Sequence, residues 1–161
     1  MTLPNGNSAP LWGGIDIHAT RAGYLGLIPF VAALGLALAS DDGGAMRVLA
    51  ERLALVWGAV ILSFVAAVHW GLALAGRWPW SRGVVLGSVL PSVQGLLAVM
   101  VGGSRGLALL VVGFGAFWLF EHRRRAADLP ADYLVLRRNL SLTVCILLAL
   151  TAIAIDGGVS S

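Results

Sequence analysis

Hydrophobic residues run along this chain in long blocks, and the polar residues gather between them. The longest block, residues 53–76 (LALVWGAVILSFVAAVHWGLALAG), carries no formal charge over 24 residues, and its strongly polar side chains are Ser63 and His69. About 20 apolar residues in an α-helix cross the ~30 Å hydrocarbon core of a bilayer. A helix also satisfies its own backbone there. Four further blocks predict spans at 22–39, 83–101, 107–120 and 139–155. The chain therefore reads as an all-α integral membrane bundle of five transmembrane helices within 21–156. A polar or interfacial tail covers 1–20 and a short polar tail 157–161.

The breaks between blocks carry turn chemistry. Ser40-Asp41-Asp42-Gly43-Gly44 ends the first span, and Gly102-Gly103-Ser104-Arg105-Gly106 has room for a hairpin turn only. Trp78-Pro79-Trp80, between Arg77 and Arg82, reads as an interfacial aromatic belt. Pro29 removes a backbone donor inside the first span and predicts a kink, while Gly23 and Gly26 permit close helix approach. The third span is the most polar, with Ser88, Pro91, Ser92 and Gln94. The fourth, at 14 residues, is short and must either extend or thin the bilayer locally. In the first tail, Leu11, Trp12, Ile15 and Ala19 share a helical face, which suits an interfacial segment, with disorder as the alternative.

Composition closes off the soluble classes. Hydrophobic residues make up 58% of the chain and charged residues 12%, against about 25% charged in soluble domains. The sequence pI near 10.0 would suit a nucleic-acid partner. However, all eleven cations are arginines placed at the ends of apolar runs, with no soluble domain to present a basic face. Cys145 is the single cysteine, so disulfides within the chain and CxxC sites are excluded. The first 20 residues lack a basic segment followed by an apolar one and do not read as a cleavable signal peptide. Arg21, Arg77, Arg82, Arg123, Arg124, Arg125, Arg137 and Arg138 fall on the side of the N-terminus, and Arg47, Arg52 and Arg105 on the other. That bias predicts a cytoplasmic N-terminus and a C-terminus on the opposite side.

Candidate chemistry is sparse. An ionisable residue within a span should face other helices and hold a partner. His69, roughly 10 Å inside its helix end, therefore marks either a structural hydrogen bond or a proton-relay or ligand contact. Ser63, Ser88, Ser92 and Gln94 could line a small polar cavity with it, of the kind that suits a quinone head group or a water chain. Two histidines at matched depth, as membrane haem needs, are missing, and no metal set is evident. Arg123-Arg124-Arg125 and Arg137-Arg138 read as topology determinants and headgroup contacts, or as a docking surface for an acidic partner. Asp128 and Asp132 would pair with these arginines. HExxH, GxSxG and phosphate-binding glycine loops are absent, which argues against an enzyme.

Three segments together, AGYLGLIPFVA at 22–32, ILSFVAAVHWGLA at 61–73 and YLVLRRNL at 133–140, resemble a domain-of-unknown-function family of small bacterial and mitochondrial membrane proteins that includes mitochondrial transmembrane protein sixty-nine. The resemblance implies a five-span protein, multi-pass in a bacterial inner (cytoplasmic) membrane, with Tyr24, Pro29, Ser63, His69, Trp70, Tyr133 and Arg137 matching the family pattern. It also leads one to expect a tryptophan soon after Pro91, where Gln94-Gly95 stands. Two functions fit these observations. The first is an accessory or assembly subunit that docks onto a larger respiratory or photosynthetic membrane complex through its arginine-rich loop. The alternative is a quinone- or lipid-binding or proton-handling bundle with a cytoplasm-facing pocket at His69, Trp70, Tyr24, Ser88 and Gln94.

Overall fold

The computed structural model describes residues 17–40, 44–125 and 129–157. Among them there are helices and no strands: α1 (Ile17–Leu25), α2 (Ile28–Leu38), α3 (Ala45–Leu74), α4 (Arg82–Val101), α5 (Gly103–Arg125) and α6 (Ala131–Asp156). Taken end to end, α1 and α2 make one span, so five helical stretches are long and apolar enough to cross a membrane. The break lies at Gly26-Leu27. There the Leu27 N–H donates to the Tyr24 carbonyl, and the Phe30 N–H donates to the Leu27 carbonyl, each at 3.0 Å. Pro29 sits in the first turn of α2, where a missing N–H leaves no helical bond unmade. The proline thus starts a second helix. From α3, the Trp57 indole Nε1–H donates to the Gly26 carbonyl at 2.9 Å and fastens the break.

The hub is α3, which packs against α2, α4, α5 and α6. Ala50, Ala54, Gly58, Leu62, Ala66, His69 and Ala73 are buried, recur every three or four positions and form one stripe, with buried Leu55 beside it. Most of them are small, which lets backbones approach closely where lipid offers no hydrophobic drive between helices. Against α4 the approach is closest at Gly95, where a Cβ would stand 3.1 Å from the Ala59 Cα.

Successive spans run in opposite directions. The start of α1, the α3–α4 turn and the α5–α6 segment therefore share one end of the bundle, here termed the arginine-rich end. At the other end the α4–α5 turn is tighter than five residues. Gly102 and Gly103 take φ of +66° and +59°, a region that suits glycine. Ser104, Arg105 and Gly106 are already helical. Glu51 Oε1 accepts the Gly103 N–H at 2.6 Å, sealing the start of α5. Three helices are longer than their apolar blocks: α3 by including Arg47, Glu51 and Arg52, α5 by running on to Arg125, and α6 by starting directly after Pro130. The short fourth block is thus part of a 23-residue helix.

A buried polar centre at the arginine-rich end

Three helices each bury an ionisable side chain at similar depth. His69 lies five residues before the end of α3, Glu121 four before the end of α5, and Arg137 six after the start of α6. At 1.5 Å per residue this is roughly 6–9 Å below the helix ends. His69 and Glu121 are each 1% exposed and Arg137 is 6% exposed. In each case the polar residue continues an apolar stripe: Leu107, Leu110, Phe114 and Phe117 lead to Glu121, while Arg137 and Ser141 lead to Val144 and Leu148. The spacing that turns the leucines inward turns the charges inward too.

Glu121 is the centre. Its Oε1 accepts from His69 Nε2 and from the Tyr133 hydroxyl, each at 3.3 Å, and its Oε2 accepts from Arg137 Nε at 3.2 Å. Tyr133 and Arg137 stand one turn apart on α6 and so reach the same carboxylate. An ionised carboxylate only accepts, so His69 Nε2 carries the hydrogen. Its Nδ1 is then the ring's open position, and this buried atom has no hydrogen-bond partner. The ring is walled by Trp78, Phe117 and Phe120 at centroid distances of 5.1, 5.2 and 6.0 Å. On α4, a Cβ placed on Gly87 would stand 3.2 Å from Nδ1, so glycine makes room for the imidazole. The Arg137 guanidinium lies over the Phe117 ring at 5.3 Å, and its Nη2 has no partner. Paired Glu121 and Arg137 cancel in charge. The imidazole joins this pair through Nε2 alone.

The residues singled out in the sequence fall in several places. His69 and Arg137, given separate roles there, meet through Glu121. Ser88 is buried but donates to the Val84 carbonyl of its own helix at 2.8 Å, and Ser63 does likewise to Ala59. Gln94 Nε2 donates to the Leu109 carbonyl at 3.0 Å, which ties α4 to α5 deeper in the bundle. Tyr24 and Trp70 are 47% and 42% exposed, so neither walls the buried centre, and Trp70 meets Trp80 edge-on at 5.1 Å. Trp78, expected in an interfacial belt beside Trp80, is buried against His69 instead. Arg123, Arg124 and Arg138 point outward, and Asp132 stands exposed in the first turn of α6. The Arg125 side chain, Asp128 and the residues before 17 lie outside the described residues. Glu121 itself was not singled out, because it opens the charged run EHRRR; the signal for it was its place four residues after Phe117 on the apolar stripe of α5. Among the described residues, no group of three His, Cys, Asp or Glu side chains could hold a metal ion.

No curated protein and no solved structure matches this chain significantly. A family model does match, over residues 15–153, which is most of the chain and takes in all five spans nearly end to end. The chain belongs to the family described as protein of unknown function (DUF3429).

Proposed function

We propose that this chain is a membrane bundle that binds a small lipid-soluble molecule beside a buried, proton-holding centre at its cytoplasmic end. The observation that carries the proposal is Glu121, a fully buried carboxylate that takes donors from His69, Tyr133 and Arg137. Ionisable groups within membrane spans are expensive and mark sites of transport, proton transfer or ligand contact. Packing alone does not require one, because the small-residue stripe of α3 already joins the helices. Native mass spectrometry of the chain, purified in mild detergent from its own membranes, tests the reading. A reproducible small-molecule adduct that His69→Leu weakens, with folding retained, is the expected result. A chain free of adducts from several preparations would refute it.

One observation favours a second reading, an accessory subunit that docks onto a larger membrane complex. Arg123, Arg124 and Arg138 stand exposed at one end of the bundle, where they could meet an acidic partner. Reversing Arg123 and Arg124 to glutamate should then strip co-purifying proteins from the chain, and unchanged recovery of those proteins would count against docking through this surface.

A further inference from the structure

A second feature lies beside the centre and shares one of its residues. A cleft of about 470 Å³ opens on the flank of the bundle between the first span, α3 and α6. This size falls within the roughly 300–1,000 Å³ of small-molecule sites. Gly23 and Gly26 of the first span leave the cleft open, and Phe30, Phe64, Val65 and Phe114 line it. Its walls are almost wholly apolar, apart from Arg137 and Ser141, one turn apart on α6. Each of these two holds a buried polar atom without a hydrogen-bond partner, Arg137 Nη2 and Ser141 Oγ, and their residues are 6% and 3% exposed. Buried polar groups are nearly always satisfied. Two orphans on adjacent turns of one helix, both in residues lining one cleft, are what a ligand acceptor would complete.

The chemistry narrows the occupant. Both groups donate, so the ligand presents an acceptor. Arg137 is already neutralised by Glu121 at 3.2 Å, so an anionic head group would leave an uncompensated negative charge in a medium that solvates it poorly. An uncharged carbonyl adds no charge and accepts from both donors. The aromatic and aliphatic walls suit a ring and a hydrocarbon tail, and the cleft faces the lipid from which such a molecule would enter. We infer that this cleft is the binding site of an uncharged, carbonyl-bearing, lipid-soluble molecule of the quinone class. Arg137 Nη2 and Ser141 Oγ hold its head group, and Phe30, Phe64 and Phe114 pack its ring or tail. Both donor atoms lie behind the cleft wall, so binding includes a small displacement of wall side chains. The inference rests on the small-molecule reading above and specifies its ligand. It also connects the ligand to the proton-holding centre, because Arg137 bonds Glu121 through Nε and the head group through Nη2.

The test is equilibrium dialysis of decyl-ubiquinone against the purified full chain in detergent, with decanoate as the anionic control. The expected result is saturable binding of one quinone per chain and much weaker binding of decanoate. Ser141→Ala should weaken quinone binding about fivefold through loss of one hydrogen bond. Because the Ser141 hydroxyl has no partner, this variant keeps its fold. Val65→Phe, which fills the cleft, should remove saturation; if that variant misfolds, Ala22→Leu fills the same space from α1. Absence of saturable quinone binding, or binding that Ser141→Ala and the filling variants leave unchanged, would overturn the inference, as would decanoate binding as tightly as the quinone. A chain that carries a different small molecule in native mass spectrometry and rejects the quinone would sink the ligand assignment while leaving the proposed function standing.

Discussion

The strongest consequence of the centre is that its two charges cannot be removed one at a time without penalty. In Glu121→Gln the side chain keeps its shape but turns one oxygen into an NH2 group. Three donors, His69 Nε2, the Tyr133 hydroxyl and Arg137 Nε, now converge on one acceptor oxygen and another donor. The guanidinium loses its counter-charge where it is only 7% exposed. Breaking a buried ion pair from one side costs about 3–5 kcal/mol. Arg137→Met leaves the carboxylate with two donors but no opposite charge, at a comparable cost. In the double variant no charge is stranded, and what remains is one or two imperfectly paired polar groups, about 1–3 kcal/mol each. The double variant should therefore be no less stable than either single one, with a coupling energy of at least about 3 kcal/mol. The measurement is SDS-induced unfolding of the four proteins in mixed micelles, followed by far-UV circular dichroism. If the two single losses add within about 0.5 kcal/mol, Glu121 and Arg137 are independent and the centre as described is wrong.

Three other outcomes follow from the same structure. Gly106→Ala drives a Cβ into the Ala98 carbonyl oxygen and the Leu55 side chain, so it should cost about 1–3 kcal/mol in the same unfolding assay. Trp57→Phe removes the bond to the Gly26 carbonyl and should cost about 1 kcal/mol, with proteolysis or hydrogen exchange rising first in α1. In a Cys145→Ala background, Trp80→Cys should react with a membrane-impermeant maleimide only after intact cells are lysed, whereas Gly157→Cys should react before. The reverse pattern would overturn the orientation inferred from the arginines.

The number of spans and the class of fold could be read from block length and charge placement, because lipid forces helices and leaves few alternatives. What hydropathy misjudged was where helices end. It stops at the first charges, so it cut α5 at Phe120 and began α6 at Asn139, and it assigned Glu121, Tyr133 and Arg137 to a loop. Periodicity would have kept them: 107, 110, 114, 117 and 121 are successive positions on one helical face. His69 stood out because it is polar within an apolar run. Its partner was hidden for the opposite reason, as one charge within a charged run. Trp78 and Trp80 show a similar limit. Two tryptophans of one loop have the same composition signature, yet one is buried under His69 and the other is exposed.

The remaining question is why the charges are in the bundle at all. Elsewhere the described helices are joined by close packing and by hydrogen bonds. Gly95 lies against Ala59, Gln94 reaches the Leu109 carbonyl, and Glu51 caps α5 at the end of the bundle. Such contacts stabilise membrane helices by close packing and by hydrogen bonds of about 0.6–2 kcal/mol. A buried ion pair is a poor substitute, since well-packed apolar side chains of similar size are often as stable or more so. The centre also leaves His69 Nδ1, Arg137 Nη2 and Ser141 Oγ without partners, which a purely structural network would be expected to satisfy. Two of these three atoms belong to residues of one open cleft, and the third belongs to the imidazole that shares Glu121 with Arg137. An occupant of the cleft would complete Arg137 Nη2 and Ser141 Oγ, the two of these atoms whose residues line it, and that is a role which the stability of the fold does not supply.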